Sequence, residues 1–384
     1  MALVTVSLVL AVLLFTHGCT SRQFNTSFSF SATPALDLQP YFLDQPAGPY
    51  IGGDIGTSLS VPTPTSPQRV LWLFGDTLTG STRANGSRII DAMPRNSVGL
   101  INVSAAGKVM GPMAHFVRSD PHQPQHAGFF TPPAKFPDQW YWPTVACYVQ
   151  DTIFVFALRM GPHPDPLFPF ETIAVDVLAL GNTNDNNALN WNVERSASIP
   201  HVNNSFVLSS AASAPDEGYV YLLGTGAAGA AILSRLTAAD LVQLNLNNME
   251  FLAASQAWVP FSPALAPAAL FANGPSEATL QFHPYLQQWL VVIVNTFQSS
   301  SVALRLAPSV TGPWTTATPV YPIPPAFLQG AFCYAGKAHP ELVATAAEII
   351  LTYMCNTPSL AGLVDRPDLY VPRVVRVTIS AAPR

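Results

Sequence analysis

The chain has 384 residues, of which 49% are hydrophobic and only 10% are charged. This apolar content supports a packed core and argues against intrinsic disorder, which needs low hydrophobicity and high net charge. The formal net charge is −5 and no basic run occurs, which excludes the cationic surface that nucleic acid binding requires. The 37 prolines are spread along the chain and exclude a bundle of long helices, because proline breaks helix interiors.

Residues 3–15 form an apolar run that is followed by small and polar residues, THGCTS. The run is too short to span a bilayer core, which needs about twenty residues. We therefore predict a signal peptide over residues 1–20, although its first residues lack Lys and Arg. A lipoprotein anchored through Cys19 and a short buried strand are the alternatives. The mature protein is expected to be secreted, extracellular and free of the membrane after cleavage.

Cleavage would leave Cys147, Cys333 and Cys355, so at most one disulfide can form and one thiol stays free. We expect the Cys333–Cys355 pairing because both residues fall in neighbouring strand-like segments, and the other two pairings stay open. No cysteine has the CxxC spacing of zinc or redox sites. Glycosylation is a further expectation for a secreted protein, because Asn-X-Ser/Thr sequons occur at Asn25, Asn85, Asn102 and Asn203.

A strand-like segment recurs five times, at starts separated by about 82, 67, 68 and 61 residues. A shorter strand candidate precedes and follows each copy, so the repeating unit is a meander of three or four antiparallel strands. Five such units predict an all-β fold, namely a five-bladed β-propeller with a central channel, and a double β-sandwich is the alternative. Only residues 237–248 show a helical pattern. The recurring segments are VLWLFGDTL (70–78), TIFVFALRM (152–160), YVYLLGTG (219–226), QQWLVVIVN (287–295) and EIILTYMCN (348–356).

The first strand of each propeller blade lines the channel, and ligands bind at one mouth of it. Carboxylates supply acid, base or nucleophile for glycosidic cleavage, and indole faces stack on sugar C–H surfaces. The predicted inner strands are IGGDIGTSLSV, YWPTVACYV, SFVLSSAA, SEATLQFHP and KAHPELVAT. The polar and aromatic residues that they bring to the axis are Asp54, Trp140, Tyr141, Trp142, Asn203, Asn204, Glu277, His339 and Glu341.

Several of these motifs resemble a known family. GGDIGTS, LWLFGDT and PRNSVGL are similar to the opening of secreted five-bladed propeller proteins related to endo-D-arabinanases, glycoside hydrolase family 183. SEATLQFHPYLQQW, APSVTGPW and KAHPEL are similar to the wider arabinanase and xylosidase superfamily, and the similarity runs as short motifs from about residue 45 to 380. The resemblance implies that Asp54 and Asp76 carry catalysis, with Glu277 as a third acidic member.

Each candidate also has a purely structural interpretation. Asp54 and Asp76 have the Gly-Asp composition of ordinary turns, and Glu277 could be a solvated strand end. A histidine in apolar surroundings, such as His339, is often a hydrogen-bonded core residue. Glu341 could form a salt bridge within its strand, and the tryptophans could both be core residues.

We expect a secreted glycoside hydrolase that cleaves a neutral polysaccharide, with arabinan-like chains as the class that the resemblance implies. A non-catalytic carbohydrate-binding propeller is the alternative. The domain boundaries are 1–20 for the signal peptide, 21–44 for an N-terminal segment and 45–384 for the propeller, which is expected to be monomeric. No cofactor or metal is expected at the site, and a calcium ion in the channel stays open. The expected catalytic residues are Asp54, Asp76 and Glu277, and the expected substrate-binding residues are Trp140, Trp142, Arg95, Asn96, His339 and Glu341.

Overall fold

Five antiparallel sheets surround a central channel, and their innermost strands contact one another in a closed ring. This arrangement confirms the predicted five-bladed β-propeller. The predicted signal peptide, the sequons at Asn25 and Asn203, and Asn204 lie outside the described residues. In this computed structural model the described residues are 28–43, 49–63, 67–118, 127–165, 169–200, 206–213, 217–226, 229–262, 265–294 and 299–381.

Each blade begins with the strand that lines the channel and continues outward. Before blade one come β1 (Phe28–Pro34) and a short helix α1 (Pro40–Leu43). Blade one contains β2 (Tyr50–Val61), β3 (Gln68–Thr82), β4 (Arg88–Ala92), β5 (Ser97–Val103) and β6 (Ala114–Phe116). Blade two contains β7 (Trp140–Val149), β8 (Thr152–Pro162), β9 (Phe170–Gly181) and β10 (Asn192–Ser198). Blade three contains β11 (Phe206–Ser213), β12 (Tyr219–Gly226), β13 (Ala231–Thr237), β14 (Glu250–Leu252) and β15 (Trp258–Pro260). Blade four contains β16 (Ala278–His283), β17 (Gln288–Ile293), β18 (Ser301–Ala307) and β19 (Thr318–Pro322). Blade five contains β20 (Phe332–Ala338), β21 (Glu348–Asn356), β22 (Arg373–Ala381) and β1.

The five recurring segments of the sequence are the second strands of the five blades, β3, β8, β12, β17 and β21. These strands are apolar on both faces because each blade packs between two neighbours. Residues 70–74 of β3 and 153–157 of β8 are all 1% exposed or less. The core therefore lies between the blades, and the inner strands are left free to present polar side chains to the channel.

Blade five is closed by the first described strand. β1 pairs with β22 in antiparallel register from Phe28↔Ala381 to Pro34↔Val375. The sequence analysis placed residues 21–44 before the propeller, and β1 falls inside that segment. The propeller therefore includes residues on both sides of the predicted boundary at residue 45.

Helices are few and short. In the predicted helical stretch, α2 (Ala238–Gln243) begins after Thr237, whose side chain accepts a hydrogen bond from the Asp240 N–H, and it ends at Leu244 in the left-handed conformation. α3 (Leu360–Val364) precedes β22. No helix in the described ranges is long and apolar enough to cross a membrane. Short 3-10 turns occupy Ala188–Asn190, Leu246–Asn248, Pro325–Phe327 and Pro340–Leu342.

The inner strand of blade five differs from the sequence prediction. We expected KAHPELVAT, but β20 ends at Ala338, and Pro340–Leu342 form a 3-10 turn. Proline lacks the N–H that a sheet ladder needs, which stops the strand there. The actual strand carries a bulge between Tyr334 and Lys337, with Ala335 in a positive-φ conformation, so its sequence lacks a regular alternation.

A disulfide links the first two strands of blade five. Cys333 lies directly opposite Cys355 in the register of β20 and β21, and the two are bonded, which confirms the expected pairing. Cys147 is a buried free thiol.

Removing this disulfide is expected to lower the free energy of unfolding by roughly 3 kcal/mol, because a cross-link between residues 22 apart restricts the unfolded chain. Urea unfolding of the Cys333→Ser/Cys355→Ser variant beside the wild type measures the difference. A reductant should destabilise the wild type and leave the double variant unchanged. Equal stability of both proteins without reductant would contradict the expectation.

Candidate active site

One mouth of the channel holds a cavity of about 390 Å³ where the inner strands begin. Its wall combines carboxyl groups with aromatic rings, hydroxyls and an amide. This composition is typical of a ligand site, in which a few polar groups fix a molecule against apolar walls. The lining residues are Asp54, Ile55, Trp142, Thr144, Leu158, Met160, Phe170, Glu171, Thr172, Val207, Ser276, Glu277, Phe332, Tyr334 and Asn356.

Asp54 and Asp76 are neighbours across β2 and β3. The register runs from Gly53↔Thr77 to Ile55↔Phe74, so a bulge places Asp54 beside the two intervening residues of β3. A side chain at Gly75 would put its Cβ only 2.4 Å from Asp54 Oδ1. Glycine at this position therefore lets the Asp54 carboxyl lie against the backbone that carries Asp76.

Asp54 has a strongly raised pKa. Burial is the main cause, and the charges of Asp76 and Glu277 raise the pKa further. The Tyr334 hydroxyl donates to Asp54 Oδ2 at 3.1 Å, and hydrogen bonds from Tyr334 and Tyr370 oppose the rise. The proton is therefore held on Asp54 by its surroundings at pH values where a free aspartate is ionised.

Asp76 is held differently. Burial raises the pKa of Asp76 above its usual value, and the Arg95 charge and the Trp142 hydrogen bond reduce that rise without cancelling it. The Trp142 indole N–H donates to Asp76 Oδ1 at 3.1 Å, and an Arg95 guanidinium nitrogen lies 3.6 Å from the same oxygen. The Tyr370 hydroxyl donates to the Asp76 carbonyl oxygen at 3.0 Å. Donors thus surround Asp76 and stabilise its carboxylate form.

Glu277 lies on the opposite wall, immediately before β16 of blade four. Its side chain is half-buried, and its Oε2 atom has no hydrogen-bond partner among the described residues. Burial raises the pKa of Glu277 to about 7, and the Lys337 charge opposes this shift. The structure therefore brings all three predicted acids to one mouth, two from blade one and one from blade four.

The predicted tryptophan pair divides into two roles. Trp142 lines the cavity, and its ring contacts Phe170 edge-to-face with centroids 4.8 Å apart. Trp140 is 5% exposed and packs behind the wall, with the Arg95 guanidinium 4.5 Å from its ring centre. Trp140 thus supports the arginine that faces Asp76.

Asn96 is fully buried and lies outside the cavity lining. Its Nδ2 donates to the carbonyl oxygens of Phe130 and Tyr141, both at 2.9 Å, and its Oδ1 accepts from the Phe130 N–H. These bonds join the residue before β5 to the loop at Phe130 and to β7, so Asn96 holds the backbone and does not face the cavity.

His339 and Glu341 are not brought to this mouth. Glu341 lines a second cavity of about 230 Å³ at the other end of the inner strands. Ser58 donates to Glu341 Oε2 at 2.8 Å, and its hydroxyl lies 2.7 Å from His339 Nδ1. The other His339 nitrogen bonds Thr352, and the ring stacks on Trp72, so the histidine is a satisfied core residue. Their placement follows from β20, which ends before both residues.

Three residues that interact with the predicted acids or with the backbone that carries them were missed in the sequence. Tyr334 and Lys337 lie on β20, and an inner strand placed at 332–338 would have revealed both. Tyr370 precedes β22, and no local sequence pattern marks its position. Within the described ranges, no group of three or more His, Cys, Asp or Glu side chains is arranged to hold a metal ion.

Solved structures share this fold at low sequence identity. A candidate hydrolase from Bacteroides ovatus ATCC 8483 is 15% identical, with a TM-score of 0.67 over 91% of this chain and 90% of that one. The catalytic domain of a Coprinopsis cinerea GH62 α-L-arabinofuranosidase is 10% identical, with a TM-score of 0.46 over 92% and 98%. An endo-arabinase from Bacteroides thetaiotaomicron VPI-5482 is 11% identical, with a TM-score of 0.42 over 86% and 96%.

The first of these structures supports the propeller fold, and membership of glycoside hydrolase family 183 stays a prediction. No curated protein matches the sequence. A family model described as a domain of unknown function, DUF5005, matches residues 38–379. Since this match covers most of the chain, the protein belongs to the DUF5005 family.

Proposed function

We propose that this protein is a glycoside hydrolase that cleaves a neutral polysaccharide, with furanose-containing, arabinan-like chains as the first class to test. The observation that carries the proposal is the pair of adjacent carboxyls at the channel mouth. The surroundings of Asp54 favour its proton, whereas the Asp76 carboxylate accepts a hydrogen bond from Trp142 and forms an ion pair with Arg95. Two carboxyls with environments of this kind are what acid and base roles require.

In this proposal Asp54 is the general acid. It gives its proton to the glycosidic oxygen as the bond from that oxygen to the anomeric carbon breaks. Asp76 is the carboxylate that either attacks the anomeric carbon or takes a proton from the attacking water. Glu277 acts through charge, since its carboxylate raises the pKa of Asp54.

The cavity wall supports a sugar ligand. Trp142, Phe170 and Phe332 offer ring surfaces, and Thr144 and Asn356 offer hydrogen-bonding groups. The carboxyls at the mouth disfavour an anionic sugar, and the guanidinium of Arg95 already faces Asp76. We also propose that the protein acts outside the cell, because residues 3–15 have the pattern of a signal peptide.

The test is to incubate the protein with arabinans, arabinogalactans and xylans and to analyse released oligosaccharides. We expect product from the wild type and none from Asp54→Asn. Glu194→Gln, which changes an exposed carboxyl on the outermost strand of blade two, should match the wild type. Sugar binding without product from any protein would instead identify a carbohydrate-binding propeller, and equal product from wild type and Asp54→Asn would exclude Asp54 from the reaction.

A further inference from the structure

Lys337 is a buried cation in the channel wall. It is one of only three lysines in the sequence and is 1% exposed. Its ammonium group donates to the carbonyl oxygens of Ser209 at 3.1 Å and Ala278 at 2.9 Å. Ser209 lies on β11 and Ala278 on β16, so this one side chain on β20 joins the inner strands of three blades.

The bulge in β20 explains how Lys337 reaches this position. The pairing of β20 with β21 shifts between Tyr334 and Lys337, and Ala335 has a positive φ. Tyr334 then faces the cavity at the mouth, while Lys337 lines the second cavity farther along the channel. A buried lysine has a high desolvation cost, and the surrounding structure must compensate for it.

Lys337 is also coupled to Glu277. The carbonyl that it binds belongs to Ala278, the residue that directly follows Glu277. The charges interact in both directions: Lys337 favours the ionised form of Glu277, and Glu277 favours the charged form of Lys337. Burial still lowers the pKa of Lys337 to about 8.

We propose that Lys337 is a positioning residue that holds the backbone at Glu277 and that its charge sets the pH at which the carboxyls of the site lose a proton. The inference rests on the proposed function of the same site. Lys337 touches neither the substrate position nor the reacting atoms, and it acts through Glu277.

Among the described residues, Glu277 interacts electrostatically with Lys337 and Tyr334 from β20 and with Asp54 from β2, and the Lys337 charge also acts on His339, which follows β20. Lys337 is the cation among them, and its charge opposes proton binding by the carboxyls. Without this charge the carboxyls keep their proton to higher pH. Because the Asp54 and Glu277 carboxyls interact electrostatically, the pH values at which they titrate belong to the pair.

The test is the pH dependence of hydrolysis in Lys337→Met. We expect the alkaline limb of the rate profile to move upward by about 1 pH unit, the size of effect that a nearby charge has on a buried carboxyl. Lys108→Met, which changes an exposed lysine, should leave the limb in place. An unmoved limb in folded Lys337→Met would overturn the proposal.

Two further measurements keep the test decisive. Lys337→Gln removes the charge but keeps an N–H donor for the carbonyls, and it takes the place of Lys337→Met if that variant does not fold. If the wild type hydrolyses no glycan, infrared titration of the carboxyl stretch still decides, with bands assigned through Glu277→Gln and Asp54→Asn. An upward shift of the band's midpoint in the lysine variant supports the role of Lys337, and an unchanged midpoint rejects it.

Discussion

Asp76→Asn is expected to lower kcat by roughly 10²- to 10⁴-fold on every substrate, whereas Asp54→Asn should do so only on substrates with poor leaving groups. A natural glycosidic oxygen needs a proton as it departs, and in the proposed mechanism Asp54 supplies that proton. A nitrophenolate leaves without one, so the acid is dispensable on nitrophenyl glycosides. In the same mechanism Asp76 acts on the anomeric carbon or the water, and no leaving group replaces that role.

The measurement compares both variants on the polysaccharide that the glycan panel identifies and on the nitrophenyl glycoside of the same sugar. Glu194→Gln serves as the control for removing a carboxyl far from the channel. An equal loss for Asp54→Asn on both substrates would show that Asp54 is not the acid. The reverse pattern, in which Asp76→Asn is active on the nitrophenyl glycoside and inactive on the polysaccharide, would exchange the two roles.

The repeat made the fold predictable. A buried central strand is apolar on both faces in every blade, so β3, β8, β12, β17 and β21 stand out without any other information. The pairing of β1 with β22 could not be predicted in the same way. It joins residues about 350 positions apart, and nothing local in a short strand specifies such a partner.

A site residue could be predicted when the sequence of its own strand is regular enough to identify that strand. Asp54 follows two glycines in an inner strand, and Asp76 lies in a buried central strand directly after Gly75, so both positions could be deduced. Blade five was misplaced because the bulge between Tyr334 and Lys337 interrupts the alternation that marks a strand. That error moved the expected residues to His339 and Glu341, which lie beyond the end of β20. The bulge that accompanies the placement of Tyr334 at the cavity also removes the regular alternation by which a strand is recognised in a sequence.

Farther from the channel, the Arg88 guanidinium holds the chain segment of blade five that positions Tyr370 against Asp76. Arg88 on β4 is 2% exposed and donates to five carbonyl oxygens. One acceptor is Ile51 on β2, and the other four lie between Leu363 in α3 and Leu369, shortly before β22. These four are the carbonyls of Leu363, Arg366, Pro367 and Leu369 at 2.7 to 3.2 Å. Tyr370, which bonds the Asp76 carbonyl, directly follows this segment.

Arg88→Met is therefore expected to lower the free energy of unfolding by about 4 kcal/mol, because several charge-assisted hydrogen bonds are lost. The variant no longer pays the cost of desolvating a buried guanidinium, but this offsets only part of the loss. Activity should also fall at temperatures where the variant is folded, because Tyr370 loses the segment that holds it. Urea unfolding and rate measurements at low temperature test both effects.

The control variant is Arg83→Met. Arg83 is an exposed arginine of the same hairpin that bonds Ser87 and the Arg88 carbonyl, and its replacement should lower the free energy of unfolding by less than about 1 kcal/mol. A folded Arg88→Met of unchanged stability would show that water replaces the guanidinium at these carbonyls, and full activity in a destabilised variant would separate this contact from the site.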